Sequence, residues 1–262
     1  MKIITKNELD SLVEKYENED FIKDDPIQFL YKGKNKEEME LYGFIASLFA
    51  YGSRNVFIKK LNEIFSYAEG DLLGFIKDGK FSCLKGVEYR FSKENDIIPI
   101  FKTLSALYNE SKGLEELFEF SWIQPPLYLP LSERQQIFLQ LVADFFYSRA
   151  PKTVGQGFYH MLPNPSNGGA MKRMNMFLRW MVRKGPVDAG IWNFMHSKDL
   201  LIPLDVHVAR VSREMGLLQR KSNDFKAVIE LTEKLKEFCP EDPVKYDFAM
   251  FAYGIESTKK VN

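Results

Sequence analysis

Cysteine is scarce in this sequence: Cys83 and Cys239 are the only two among 262 residues. A pair so far apart reads as reduced thiols and not as a disulfide framework, and two thiols alone cannot hold an iron–sulfur cluster. The three histidines, His160, His196 and His207, lack metal-ligand spacing, so neither a metal nor another cofactor is expected. Net charge is also missing, because 36 Lys and Arg balance 36 Asp and Glu. A nucleic-acid partner would therefore have to be met by a local basic patch. No apolar run reaches the roughly 18 residues of a membrane span. The opening MKIITKNELD has no apolar core of the kind a signal peptide carries. The expectation is a soluble cytoplasmic, nucleoid-associated protein with no membrane partner. Repeats, low-complexity tracts and alternating strand-like segments are scarce or absent as well.

What the sequence does have is helical periodicity. Leu41, Phe44, Ile45, Leu48 and Phe49 fall on one helical face, as do Met174, Phe177, Leu178, Met181 and Val182. Val208, Val211, Met215 and Leu218 make a further stripe, and Phe225, Val228, Ile229, Leu235 and Phe238 another. Ser132 with Gln135 reads as a capping box ahead of Ile137, Phe138, Leu141 and Phe145. Asp242-Pro243 reads as the N-cap and first-turn proline of a last helix running through Phe251. The fold class is all-α, over one globular unit of residues 1–262. A central lobe is expected at about 40–184, including a turn at 163–172. A second lobe would draw on about 1–39 and 185–262.

Two stretches carry chemistry. The first is the turn Asn167-Gly168-Gly169-Ala170 and the basic helix it opens, beginning Met171-Lys172-Arg173. Glycines let backbone amides approach a phosphate closely, and a helix start adds unpaired N–H donors and a positive dipole end. From Ser166 to Lys184 the chain has five cations (Lys172, Arg173, Arg179, Arg183, Lys184) and no acid. That makes Ser166, Asn167, Gly168, Gly169, Arg173 and Arg179 candidates for holding a phosphodiester backbone. A solvated amphipathic face after an ordinary loop would give the same pattern. The second stretch is Leu201 to Leu217, LIPLDVHVARVSREMGL, where Asp205 stands at a helix start. Its carboxylate suits an N-cap, and one of its oxygens would remain available to a cleft. Plain capping accounts for Asp205 equally well, and a structural hydrogen bond for His207.

Together these stretches resemble the helix-hairpin-helix DNA glycosylases, the endonuclease III-like enzymes in particular. Asp205, His207, Arg210-Val211 and Gly216-Leu217 are similar to that family's acidic signature, and the resemblance implies that His207 and Arg210 contact DNA. Lys172, four residues after Gly168 and three before Asn175, stands where the family has its catalytic lysine. The resemblance covers mainly residues 160 to 255. Ala170 stands where the hairpin usually has a second glycine, Arg213 is one place early, and the cluster-binding cysteines of many members are absent. The spacing between Lys172 and Asp205 is similar to that of the archaeal 8-oxoguanine glycosylase branch. That branch lines its base pocket with an acid and an aromatic four residues apart, matched here by Asp247 and Phe251. Solvation of Asp247 and core packing of Phe251 are the plain alternatives. The turn holding Tyr51, Ser53 and Arg54 corresponds to one that supplies a side chain to fill the gap left by a flipped base. A simple helix–helix connection reads the same way. As a whole the chain also resembles a bacterial family without an assigned function.

The resemblance implies a two-lobed glycosylase-like fold and damaged double-stranded DNA as the partner. It also implies a bifunctional reaction: base excision, then strand cleavage through a Schiff base on Lys172, with Asp205 as the acidic partner. An oxidised purine such as 8-oxoguanine leads as substrate. An amine nucleophile must be neutral, and burial, a helix start and neighbouring cations favour that form. Two other readings stay open from the sequence: a glycosylase-shaped DNA-binding protein without catalysis, and a helical interaction module that binds no nucleic acid.

Overall fold

The computed structural model describes residues 4–259 and contains twelve α-helices and no strand among them. In chain order the first six are α1 (Lys6–Tyr16), α2 (Lys36–Phe49), α3 (Arg54–Ser66), α4 (Leu72–Asp78), α5 (Glu94–Glu110) and α6 (Leu114–Ile123). They are followed by α7 (Leu131–Tyr147), α8 (Gln156–Met161), α9 (Lys172–Val182), α10 (Val206–Glu214), α11 (Phe225–Lys236) and α12 (Tyr246–Lys259). Short 3-10 turns join several of them. No helix among the described residues is long and apolar enough to cross a membrane. The all-α expectation is met.

The chain forms two compact units, residues 25–167 and residues 1–24 with 168–262. The lobes read from the sequence, about 40–184 against the rest, are displaced from these boundaries for two physical reasons. The 3-10 turn at Pro26–Lys32 buries Ile27, Phe29 and Leu30 and packs on α2, so it joins the unit of residues 25–167. α9 is tied by buried ion pairs to side chains near both ends of the chain, so it joins the unit that holds both ends.

In the unit of residues 25–167, α2 is the central post. It is capped by Asn35, whose side chain accepts from the Glu38 amide at 2.8 Å, and is buried from Glu40 through Phe49. Phe44 stacks on Phe146 of α7 with ring centroids 5.4 Å apart and meets Phe118 of α6 edge-on. α7 starts from Pro130 without a side-chain cap. Ser132 therefore lies inside the helix, and Gln135 is fully buried, which corrects the capping box expected there. α4 packs on α5 and α6 on α7.

In the other unit, α12 packs against both α1 and α10. Tyr16, Ala249 and Ala252 form a small core there with Leu12, Val13 and Tyr253. The Asp242-Pro243 signal leads into a 3-10 turn at Pro243–Lys245 before α12 begins. α9 is buried on every side from Met174 to Val182, the mark of an interior helix and not of an amphipathic surface one.

Candidate active site

The site belongs to the unit that contains α9, α10 and α12. Lys172 is the first residue of α9, and Met171, in the left-handed region at φ 51°, is its N-cap without a side-chain cap bond. No acid stands in the first turn of α9, so its free N–H groups keep their positive field. The Lys172 side chain is half-buried and makes no ion pair or hydrogen bond among the described residues. Asn175, buried one turn on, donates from Nδ2 to the Ala170 carbonyl at 3.2 Å. That bond fastens the turn to the helix. Its Oδ1 is buried without a partner among the described residues.

Asp205 caps α10 as its place in the sequence implies. Oδ1 accepts from the His207 amide at 2.8 Å and from the Val208 amide at 2.9 Å. Oδ2 takes no part in the cap. Lys172 and Asp205 form no ion pair with each other. Both act electrostatically on a third group, the carboxyl of Asp247 on α12. Burial pushes that carboxyl up to about 7 against the pull of Arg179, and Asp205 raises it while Lys172 lowers it. An amine and two acids from three helices thus share one field.

Asp247 is buried in a network that the sequence reading had assigned differently. Arg179, 3% exposed, pairs through Nε with Asp188 at 3.1 Å and through a second nitrogen with Asp247. Arg183 pairs with Asp188 at 2.9 Å, with Asp242 at 2.8 Å and with Glu17. Arg179 is therefore corrected from a phosphate contact to an interior cation: once α9 is buried all round, its guanidinium must be paired within the fold. Asp247 is likewise an interior ion-pair partner and not a solvated side chain. Four acids meet two arginines here, and burial raises the Glu17 carboxyl too, against the opposing pull of Arg183.

Arg210 engages Glu214 at 2.8 Å, the Gly254 carbonyl at 2.8 Å and Ser257 at 3.1 Å, so it pins α10 to α12. His207 meets the ring of Phe251 edge-on at 5.9 Å; both are half-buried. Gly168, at φ 73°, and Gly169 have no atom within 4 Å of where a Cβ would stand, so the turn's backbone is open on that side. Its other side is tied to α11: the Phe225 amide donates to the Gly168 carbonyl at 2.8 Å. Asp224, the cap of α11, pairs with Arg220 at 2.6 Å, and that hydrogen bond holds its carboxyl at about 2. Arg173 is half-buried.

The chain matches, over residues 25–256, the model of a family described as a protein of unknown function (DUF2400). It belongs to that family. The matched span takes in Lys172, Asp205, Asp247 and Phe251 as well as the whole unit of residues 25–167, and leaves out α1 and Glu17. No curated protein and no solved structure matches the chain.

The remaining candidates lie in the unit of residues 25–167. Ser166 and Asn167 are exposed there, with the Ser166 hydroxyl on Gln140 at 3.0 Å. Tyr51 is fixed in place. Its hydroxyl bonds Ser92 at 3.1 Å, and its ring lies 4.7 Å from both Tyr89 and His160. Ser53 is exposed at the start of α3 and makes no cap bond; Arg54 is half-buried. The sequence reading missed Arg90 and Phe91. Tyr89 and Ser92 exchange backbone bonds of 2.8 and 3.0 Å, so residues 90 and 91 form a two-residue tip. Arg90 adopts φ 56° there, and Phe91 is 46% exposed. Such tips favour Gly, Asn or Asp, so Tyr-Arg-Phe-Ser gives no turn signal in sequence.

Proposed function

We propose that this chain is a DNA glycosylase of the helix-hairpin-helix kind, with Lys172 as nucleophile and Asp205 as its acidic partner. The observation that carries the reading is the half-buried Lys172 at the uncapped, acid-free start of α9, directly after an open glycine turn, with no ion-pair partner for its amine among the described residues. The open backbone at Gly168 and Gly169 and the uncapped start of α9 suit a phosphodiester.

In this reaction the neutral Lys172 amine attacks the sugar C1′ of a nucleotide turned out of the stack. The bond to the base breaks, and its electron pair leaves with the base. The Asp205 carboxylate offsets the positive charge that builds on the sugar. The amine gives up one proton to the departing base; the C1′–O4′ bond then breaks with its electron pair on O4′, which takes a proton from solvent, and this ring opening gives the protonated Schiff base. Loss of a C2′ proton then expels the 3′ phosphate and cleaves the strand on the 3′ side. An oxidised purine such as 8-oxoguanine is the substrate proposed.

Borohydride trapping on duplexes bearing 8-oxoguanine, an abasic site or no lesion tests this. A covalent adduct on 8-oxoguanine DNA that is absent in Lys172→Gln is the expected result. Salt-dependent binding with no adduct would reduce the protein to a DNA-binding module. No binding at low salt would remove nucleic acid altogether.

A further inference from the structure

We propose that the outer face of α6, with the loop that follows it, is a contact surface for a second copy of this chain. The inference is independent of the chemistry at Lys172, because it rests on the unit of residues 25–167 alone. α6 buries Leu114, Leu117, Phe118, Ser121 and Trp122 on its inner side. Its outer side is apolar too: Phe120 is 62% and Ile123 66% exposed. A helix apolar all round belongs in an interior, and α6 is covered on one side only. The loop continues the patch, with Leu127 82% and Tyr128 85% exposed.

Three prolines, Pro125, Pro126 and Pro130, stiffen that loop, and the Leu129 amide closes a turn on the Pro126 carbonyl at 3.2 Å. The two tips are therefore held outward at little further cost in chain freedom on binding. The two aromatic side chains, at roughly 150–250 Å² each when bare, leave on the order of 300 Å² of surface exposed, and Ile123 and Leu127 add to it. A stable interface needs about 800 Å² from each partner, so these four side chains supply a substantial part.

Charge favours a second copy over another occupant. Glu119 is exposed beside Phe120. Arg134, at the start of α7, stacks on Trp122 with its guanidinium carbon 4.6 Å from the ring, and its Nε is buried without an acceptor. Neither Glu119 nor Arg134 has an ion-pair partner among the described residues. α6 thus carries an exposed acid, and a cation without an ion-pair partner is stacked on its Trp122. A two-fold axis sets each against its opposite on the other copy, since such a contact is self-complementary.

Sedimentation equilibrium on the purified chain across the micromolar range tests this. The chain should dimerise reversibly, and Leu127→Ser with Tyr128→Ser should raise the dissociation constant tenfold or more with an unchanged circular dichroism spectrum. Glu119→Arg alone and Arg134→Glu alone should each weaken the dimer, and the two combined should restore it. A monomer at every concentration overturns the proposal and leaves a different protein as the occupant. So does a dimer indifferent to Leu127→Ser with Tyr128→Ser.

Discussion

The proposed function gives Asp205 a second role beside its observed cap, and a single substitution separates the two. Asparagine caps a helix about as well as aspartate, so Asp205→Asn should leave the thermal midpoint nearly unchanged while removing the charge. Adduct formation should fall on the order of 10²-fold, the usual loss when a group that stabilises transition-state charge is removed; single-turnover trapping measures it. An unchanged rate would leave Asp205 as a cap alone. Arg179 behaves in the opposite way. Arg179→Met strips the cation from Asp188 and Asp247 while both stay buried, which costs about 3–5 kcal/mol when a buried pair is broken. Urea unfolding should show the loss directly. At this scale the sequence was partly legible. Asp205 was readable because an N-cap bonds amides two and three residues on, a local geometry. Arg179 was not, because its partners Asp188 and Asp247 come from elsewhere in the chain, and a cation on a helix face looks the same whether water or a carboxylate awaits it.

Among the elements, the helices were readable where one face is apolar, as in α10 and α11, since that periodicity is written in neighbouring residues. α7 was misplaced at its start because Pro130 begins the helix ahead of Ser132, and the polar Gln135 that mimics a capping partner is buried instead. The Arg90–Phe91 tip left no trace in the sequence, because its left-handed residue is an arginine. α11 supplies an element-scale test. Asp224 caps it through the Ala227 amide at 3.0 Å and pairs with Arg220. Asp224→Ala should cost about 1 kcal/mol. It should also speed hydrogen exchange at the Phe225 amide, which is bonded to Gly168. Because the Asp224 carboxyl is held low by Arg220, this support is present above about pH 4 and is lost as pH falls toward 2.

For the molecule as a whole, the buried acids govern pH dependence in the opposite direction. Burial raises both Asp247 and Glu17. The folded chain keeps protons there at pH values where an unfolded chain, with carboxyls near 4, has released them. It therefore binds more protons than the unfolded chain between about pH 4 and 7, and stability falls as pH rises through that window. Urea midpoints should be higher at pH 5 than at pH 8, and the slope should flatten in Asp247→Asn. An equally steep slope in that variant would remove Asp247 as its source.

The division of the chain has a consequence for how this protein is made. Residues 25–167 are contiguous and emerge from a ribosome as a single stretch, free to fold as they come. The other unit is built from segments on both sides of that stretch, and α1 waits for α12. Under the proposed function, Lys172, Asp205 and Asp247 would accordingly be assembled only late in synthesis. A nascent chain stopped short of α12 would present residues 25–167 without the proposed activity.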